Sequence, residues 1–422
     1  MSMDVPDDIP VGSRFREMLG KTFISLRSRN YRLFFSGQII SNTGNWLTNV
    51  ALTLLVLKLT GSGLAVGVLA ACQFGPILFL SAWAGAIADR SDKRQMLLLT
   101  QSLEMAQSIG LAILAFQPHP PLGALYALAA AGGILLAFDN PFRRSFVTEM
   151  VRPEDIPNAV VLYSTIVNVS RIFGPALAGL LVVTLGYGWC FTIDASTYLA
   201  VLCCLYLMRP GELHRQPRPP RAKGEIREGL RYVRSMPSLW ISFAMLIPIG
   251  IPSFNLNITL LLLVTKALHS TGSVYTLLYS VLSVGAVISA LIVAHRKLVQ
   301  LRHIIAGAVA LGLSMFVLAV MPTVIAAIPA VFLVGMASIL YMTATTTIVQ
   351  VDAKPAMHGR VLALQTVIIG GSALLGGPLL GWLADKMGGR MPIVLGGIVC
   401  LVTAGFGYVA SRRYGYRAPA KA

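Results

Sequence analysis

Acidic residues and charged residues in general are scarce in this 422-residue chain. Only 12% of its residues are charged, against about 25% in an ordinary soluble domain. Its 34 Lys and Arg outnumber its 17 Asp and Glu, which leaves a net charge of +17. This composition excludes an acidic disordered chain and an ordinary soluble enzyme. Because 55% of the residues are hydrophobic, the basic excess has two interpretations: a nucleic-acid binder, or a membrane protein whose cations lie in loops.

Cysteine is also rare, and neither cysteine nor histidine forms a recognisable motif. The five cysteines all lie in apolar runs, which is typical of small apolar side chains without a redox or ligand role. The six histidines form no pair at metal-ligand spacing, so we expect neither a metal nor another cofactor. A clustered nucleophile and base is missing too, so we expect no enzymatic activity. The chain also contains no Walker-type phosphate loop, so any transport would draw on an ion gradient or run downhill.

Long apolar runs are what the chain does contain. Crossing a bilayer as a helix takes about 20 mostly apolar residues, and charges and Gly or Pro turns divide the chain into runs of about that length. The twelve runs are 33–57, 64–88, 95–116, 122–142, 158–184, 187–208, 238–264, 273–294, 303–321, 324–349, 361–384 and 391–411. We therefore predict an all-α polytopic membrane protein with twelve transmembrane helices.

The cations are distributed unevenly among the connections between these runs. If the N-terminus is cytoplasmic, 29 of the 34 Lys and Arg fall in cytoplasmic segments and only four in outer loops. One cation, Arg171, lies within a run. Since cytoplasmic loops of membrane proteins carry such an excess, we predict that both termini are cytoplasmic. The basic excess then reflects topology, and we expect no nucleic-acid partner.

A long basic connection divides the twelve runs into six and six. It covers residues 209–237 and carries eight Lys or Arg, and its commoner role is tethering, with an anionic-lipid contact as the alternative. Local similarities at offsets of 203 to 207 residues predict two pseudo-symmetric bundles, a pattern typical of transporters. The predicted parts are a cytoplasmic tail (1–32), a six-helix bundle (33–208), the basic cytoplasmic linker (209–237), a second six-helix bundle (238–411) and a cytoplasmic tail (412–422).

The segment after the second run carries the strongest motif. It is similar to the loop signature of the major facilitator superfamily, except that Asp92 stands where the second glycine is expected; the matching residues are Gly85, Asp89, Arg90, Lys93 and Arg94. Further stretches resemble the branch with multidrug and enterobactin-type siderophore exporters, namely Asp139-Asn140-Pro141 with Arg143 and Arg144, Asn168 and Arg171 with Gly174-Pro175 and Gly179, and Gln350 with Gly359-Arg360. The resemblance implies the major facilitator fold and alternating access.

The resemblance also implies a conformational latch in this segment. Asp89 would lie near the N-terminus of the eleventh helix, where a carboxylate meets free backbone N–H groups and the positive end of the helix dipole. Arg90, Lys93 and Arg94 would pair with acids at neighbouring helix ends, with Asp139 as one candidate. Such a latch stabilises the outward-facing state. The alternative is a charged loop that only maintains topology.

Ionisable side chains inside the runs are candidates for proton coupling, because charges in a bilayer are costly. Glu104 and Asp194 are predicted near mid-depth, with Arg171 as the counter-charge that could join them in a buried ion pair or triad. Asp139 is a further candidate, but it is predicted only about one turn from the cytoplasmic end. A coupling acid must bind and release a proton between two states, whereas a static ion pair is the alternative.

Two more sets of residues are candidates for gating and for the substrate cavity. The first set either gates or allows close helix packing: Gly174, Pro175, Gly179, Gly377, Pro378 and Gly381. The second set lines a predicted water-filled cavity or bonds other helices: Gln38, Asn42, Asn45, Trp46, Asn49, Asn255, Asn257 and Tyr341. Its members in the first run share one helix face, and Trp46 beside that face could stack on an amphipathic substrate.

These observations predict a secondary active transporter of the cell inner membrane. We expect a monomer that exports an amphipathic small molecule, drug-like or siderophore-like, in exchange for protons. The proton gradient would be its energy source, and its partners would be the substrate and the lipid bilayer. Two alternatives stay open: an importer or lysolipid or lipid translocator on the same fold, and a transporter-like membrane sensor.

Overall fold

The computed structural model describes residues 23–88, 91–214, 225–294, 300–354 and 357–414. Apart from short turns, these residues form fourteen helices. They are α1 (Arg29–Thr60), α2 (Gly63–Ala88), α3 (Lys93–Ala115), α4 (Leu122–Glu149), α5 (Ile156–Thr184), α6 (Tyr187–Tyr206), α7 (Glu225–Ser235), α8 (Pro237–Phe254), α9 (Leu256–Leu262), α10 (Gly272–Ala294), α11 (Leu301–Val320), α12 (Val324–Asp352), α13 (His358–Met387) and α14 (Met391–Arg413).

Eleven of these helices are long and apolar enough to cross a membrane. They are α2 to α6, α8 and α10 to α14, so the chain is a multi-pass membrane protein. The 32-residue helix α1 is not in this set, although its length exceeds what a bilayer requires. The predicted count of twelve depends on α1 and stays a prediction.

The helices differ from the predicted runs at three places. The fourth run was predicted to end at residue 142, but α4 continues to Glu149. The seventh run is interrupted, since α8 ends at Phe254 and α9 begins at Leu256. Pro248 and Pro252 lie inside α8 and remove backbone donors, which explains a break in this region. The linker also contains a helix of its own, α7.

The helices pack in two groups with equivalent neighbours. Within α1–α6, helix α1 packs on α5 and α6, α3 packs on α4 and α6, and α2 packs on α4. Within α8–α14, the same pattern recurs: α8 packs on α13 and α14, α11 on α12 and α14, and α10 on α12. We call the two groups the N-terminal half and the C-terminal half.

Two helix pairs make most of the contact between the halves, and they too are equivalent: α2 with α13, and α5 with α10. In the first pair the backbones touch, because a Cβ on Gly67 would overlap the Gly377 carbonyl and a Cβ on Gly63 would lie 2.7 Å from the Gly381 carbonyl. In the second pair, a Cβ on Gly179 would overlap the Thr276 side chain.

The tightest backbone contacts between the halves lie toward one side of the molecule, although α2 and α13 still touch near mid-depth at Leu78 and Gly370. We call the side where α1 begins and α6 ends the linker side, and the side where α1 ends the distal side. Gly63 starts α2 and Gly381 is near the end of α13, so their contact lies at the distal ends.

On the linker side of α5, by contrast, Asn168 and Arg171 are exposed. Pro175 and Gly179 on the same face of α5 are buried, so the α5–α10 contact is confined to the distal part of α5. We call the gap that this leaves between α5 and α10 toward the linker side the cleft.

Candidate functional site

A buried ionic cluster lies inside the N-terminal half. Its members Glu104, Asp139 and Arg143 expose at most 5% of their surface, and Arg143 forms a close ion pair with Asp139 one turn earlier on α4. Gln101 Nε2 on α3 donates to Glu104 Oε2 at 2.7 Å and to Asp139 Oδ1 at 2.9 Å. Arg143 Nη1 also donates to Gln38 Oε1 on α1 at 2.7 Å. Three helices therefore hold one cation and two acids in a shared network.

Asp194 on α6 is buried near this cluster but has different partners. Thr48 Oγ1 on α1 and Ser108 Oγ on α3 both donate to its Oδ2 at 2.6 Å. The approach of α1 is close, because a Cβ on Gly44 would overlap Asp194 Oδ1. Hydroxyl groups thus provide the bonds that Asp194 receives, and no ion pair to it occurs among the described residues.

A cavity of about 90 Å³ lies between α1, α2, α3, α4 and α6, beside these acids. Glu104 lines it together with polar side chains from several helices: Asn45, Thr48, Asn49, Gln73, Gln107 and Tyr198. Tyr198 Oη donates to Asn45 Oδ1 at 2.8 Å, which fixes the tyrosine at the cavity wall. The polar lining connects the region of Glu104 with the region of Asp194.

The arrangement has more buried acid than buried cation. Arg143 compensates Asp139 directly, whereas Glu104 and Asp194 have no ion pair among the described residues. A carboxyl group in such surroundings is a place where a proton can be held and released. The network can therefore support proton exchange with a polar cavity.

The predicted partnership of Arg171 with Glu104 or Asp194 is wrong. Arg171 on α5 is exposed and forms no ion pair among the described residues. Its neighbour Ser170 is 4% exposed and lies on the buried face of α5, and a helix turns about 100° per residue, so Arg171 is directed elsewhere. The cation that meets the acids is Arg143, which the run boundary at residue 142 had placed in a loop.

The predicted shallow position of Asp139 is also wrong. Because α4 ends at Glu149, Asp139 lies ten residues before its end, or about 15 Å at 1.5 Å per residue. Asp139 is fully buried and joins Glu104 through Gln101. The spacing of Asp139 and Arg143 by four residues on one helix was the signal for this pair.

The latch segment is only partly visible. Asp89 and Arg90 lie outside the described residues, and Gly85 stands near the end of α2 with no atom within 4 Å of a Cβ built there. Asp92, at the position of the expected glycine, caps α3 by accepting from Gln95 N at 3.1 Å. That bond gives the departure from the family pattern a structural reason.

Lys93 and Arg94 do not pair with Asp139, contrary to the suggested contact. Lys93 forms a close ion pair with Glu149 at the end of α4. Arg94 donates from Nε to the Leu205 carbonyl at 2.9 Å and from Nη2 to the Tyr206 carbonyl at 3.2 Å. Both cations thus hold the start of α3 against the ends of α4 and α6, within one half.

The glycines and prolines predicted for gating or packing lie at close helix contacts. Gly174 faces Trp46 of α1, and Gly179 faces Thr276 of the other half. Gly377 and Gly381 face the backbone of α2. Pro175 and Pro378 lie inside α5 and α13. Gly179, Gly377 and Gly381 thus allow close packing between the halves and Gly174 allows it within one half, and the role of the set in gating stays a prediction.

The polar face of α1 is directed into the N-terminal half, not into the cleft between the halves. Gln38 is 2% exposed and bonds Arg143, and Asn42 Nδ2 donates to Gln38 Oε1 at 3.2 Å. Asn45 and Asn49 line the cavity beside Glu104. Trp46 meets the C-terminal half, where its ring centroid lies 5.7 Å from that of Tyr279.

The candidates in the C-terminal half have mixed positions. Asn255, between α8 and α9, donates from Nδ2 to the Ile251 carbonyl at 2.8 Å and to the Ser372 carbonyl at 3.1 Å, so it bonds α13 and does not line the cleft. Tyr341 is 2% exposed, and its hydroxyl has no partner among the described residues. Asn257 is partly buried.

Asp385, at the distal end of α13, was missed as a site residue. It accepts from Gly63 N at 2.7 Å, from Leu64 N at 2.9 Å and from Ser62 Oγ at 2.7 Å, and it forms a close ion pair with Lys266. The signal was in the sequence: the spacing of Gly85, Asp89 and the basic Arg90 recurs at the far end of the chain as Gly381, Asp385 and the basic Lys386.

The family and structural comparisons agree on the type of protein. Residues 20–414 match the family model described as transmembrane secretion effector, within the major facilitator superfamily. A solved structure of a bacterial homologue of the human lysosomal transporter Spinster matches 93% of this chain and 99% of its own with a TM-score of 0.73 at 15% identity. At that identity the match shows the fold.

Relatives of known name are transporters. The staphyloferrin A transporter of Staphylococcus aureus is 33% identical over 178 residues, which are 42% of this chain and 45% of that protein. The matched stretch thus spans less than half of that relative. The enterobactin exporter EntS of Citrobacter koseri is 25% identical over 372 residues, which are 82% of this chain and 84% of that protein.

Proposed function

The chain belongs to the transmembrane secretion effector family of the major facilitator superfamily, and from this premise we propose that it is a proton-coupled exporter of an amphipathic small molecule. Its family and its named relatives are transporters, so the chain is a transporter and not an enzyme. What we propose is the direction of transport, the coupling ion and the class of substrate. Alternating access would occur by rocking of the two halves about the α2–α13 and α5–α10 contacts.

The proposed coupling rests on Glu104 and Asp194. Both are buried, both receive hydrogen bonds from neutral side chains, and neither has an ion pair among the described residues. A proton bound there neutralises a charge that is costly within the membrane. Glu104 also reaches the polar cavity, which provides a route for that proton.

The proposed topology places the linker side in the cytoplasm of a bacterial cell, at the inner membrane. Helix α1 would then be the twelfth crossing, with its polar face shielded by α4 and α6 of its own half. The support is the cation distribution: without Arg143, which is buried within α4, 28 of the 34 Lys and Arg lie toward the linker side in that topology. The cleft seen in this structure would then face the cytoplasm.

Siderophore-like compounds are the proposed substrates, on the strength of the relatives named for enterobactin and staphyloferrin A. The name of the enterobactin relative specifies export, and it covers most of the chain, so export is preferred. An importer on the same fold is the second candidate, since the staphyloferrin A relative is named only as a transporter.

A vesicle experiment tests direction and coupling together. We expect inverted vesicles with an acidic interior to accumulate enterobactin or staphyloferrin A, and a protonophore to abolish the accumulation. Vesicles without the protein and right-side-out vesicles are the controls. Accumulation that survives the protonophore contradicts proton coupling, and gradient-driven accumulation only in right-side-out vesicles would make the protein an importer.

A further inference from the structure

Arg171 is a cation within a membrane-spanning helix that has no counter-charge. It is exposed, and no hydrogen bond or ion pair joins it to another described residue. Helix α5 runs from Ile156 to Thr184, so Arg171 lies near the middle of the helix and not at an end. Since a charged side chain at that depth is costly in lipid, we expect its surroundings to be polar or water-filled.

The register of α5 directs Arg171 toward the cleft between the halves. Ser164, Asn168, Arg171 and Pro175 recur at spacings of four, three and four residues, and the face continues to Gly179. Gly179 contacts Thr276 of the C-terminal half. Arg171 therefore lies about 12 Å from that contact toward the linker side, at 1.5 Å per residue, where the cleft is open.

An aromatic pair joins the two halves about one helical turn from Arg171 toward the distal side. Trp46 of the N-terminal half and Tyr279 of the C-terminal half have ring centroids 5.7 Å apart. Gly174, three residues after Arg171, faces Trp46 so closely that a Cβ there would lie 2.5 Å from Trp46 Cβ. The guanidinium and the two rings thus belong to one region of the cleft.

No acid within the described spans competes for this cation. Glu104, Asp139 and Asp194 are buried among helices of the N-terminal half and bond partners there. The acids on the described spans of the C-terminal half, Asp352 and Asp385, lie at helix ends. The cleft therefore has positive charge without internal compensation.

We propose that Arg171 and Trp46, whose ring is held by the buried Tyr279, form the binding site for an amphipathic anion. The anionic group, a carboxylate, phenolate or phosphate, binds the Arg171 guanidinium, and the apolar or aromatic body of the ligand packs on the partly exposed Trp46 ring. This proposal deepens the proposed function, on which it rests, by stating the charge and shape of the substrate. Coupling to protons is a separate matter that involves Glu104 and Asp194.

A binding measurement on the purified full-length protein tests this site without any gradient. The probes are fluorescein, which is anionic, and rhodamine 6G, a cation with the same xanthene core, and their fluorescence anisotropy reports binding. We expect the wild-type protein to bind fluorescein more tightly than rhodamine 6G. Arg171→Gln should weaken fluorescein binding by about tenfold and leave rhodamine 6G binding unchanged or improved, and Arg171→Lys should retain part of the affinity.

The matched control is Arg144→Gln, which removes another exposed cation from the same half, on α4 near the linker side. Equal loss of fluorescein affinity in the Arg144 and Arg171 variants, or tighter rhodamine 6G binding by the wild type, would overturn the proposal.

A lipid titration separates a substrate site from a lipid site, because anionic lipid headgroups share the chemistry of the proposed ligand. Phosphatidylglycerol is added to the detergent micelles that hold the purified protein. If a low fraction of this lipid displaces fluorescein, Arg171 binds a lipid headgroup, and the proposed substrate site is overturned. Selective binding without gradient-driven flux would leave this site standing and refute only the coupling.

A different observation, the Asp385 network, supports a second inference. Asp385 belongs to the C-terminal half, and the Ser62, Gly63 and Leu64 groups that it binds begin α2 of the N-terminal half. A carboxylate at a helix N-terminus satisfies free N–H groups and meets the positive end of the helix dipole. We infer that this contact is a distal latch, which holds the distal side closed and so stabilises the state in which the cleft opens to the linker side.

Asp385→Asn should weaken this latch, because it removes the charge but keeps the size of the side chain. Spin labels at Trp189 and Ile325, exposed at the distal ends of α6 and α12, report the distance between the halves. We expect the ratio of distally open to closed molecules to rise about tenfold, and Asp385→Glu to restore part of the closed population.

Lys386→Gln is the matched control, since it changes the charge of the next residue on α13 without touching the network. A shift of equal size in that variant would mean that the latch does not depend on Asp385. An unchanged distance distribution in Asp385→Asn, in protein that still elutes as a single species, would also overturn the inference.

Discussion

Replacing Arg143 by Met is expected to destabilise the N-terminal half by about 3–5 kcal/mol, the largest stability effect that we predict for a single side chain. Arg143 is the cation of the buried ionic cluster, where it pairs with Asp139 and donates to Gln38. Met matches the stem of Arg as far as Nε and has no charge, so the packing of the stem is largely retained. What is lost is the compensation of Asp139, which is completely buried.

A double variant separates this electrostatic cost from lost packing. Arg143→Met combined with Asp139→Asn removes both charges, and we expect it to regain much of the lost free energy of unfolding. Reversible unfolding in mixed micelles, monitored by circular dichroism, provides the measurement. Arg144→Met, at an exposed position of the same helix, is the control and should change stability by less than about 0.5 kcal/mol. If the single and double variants are equally destabilised, the ion pair does not explain the effect.

Hydrophobic length predicted most of the fold correctly, because a bilayer imposes it directly on each segment. The runs at 95–116, 187–208 and 391–411 match α3, α6 and α14 within a few residues. Sequence could not reveal which way each polar residue is directed once helices pack. Arg171 was placed with the acids because its depth matched theirs, but the face of the helix, and not its depth, decides the contact.

The errors around Asp139 have one physical origin. Cations commonly mark the ends of membrane helices, and this rule predicts an end of the fourth run just before Arg143. A cation can continue a membrane helix when a carboxylate one turn away and an amide from another helix compensate it, as Asp139 and Gln38 do here. Asp385 shows a different limit of sequence-based prediction. Its motif is present in the sequence, but only the fold reveals that α13 ends beside the start of α2.

Asp194→Asn and Glu104→Gln are expected to reduce proton-driven transport by about a hundredfold or more, while downhill flux persists. Each substitution keeps the shape and hydrogen-bonding ability of the side chain but prevents it from exchanging a proton. Thr48 and Ser108 can bond an amide as they bond Asp194 now, so we expect both variants to fold. Loss of flux therefore reports on the proton itself.

The two acids need not contribute equally, and the structure indicates how they differ. Glu104 lines the polar cavity, whereas Asp194 bonds only hydroxyl groups and its own helix. We expect Glu104→Gln to abolish pH-gradient-driven accumulation in inverted vesicles and to spare substrate exchange at equal pH on both sides, in which no net proton movement is required. Glu154→Gln, at an exposed acid on the linker side, is the matched control and should retain full gradient-driven flux. Retention of that flux in both single variants would remove Glu104 and Asp194 as coupling residues. No other acid of the described spans is both buried and free of an ion pair, so that result would also leave the proposed coupling without a candidate acid there.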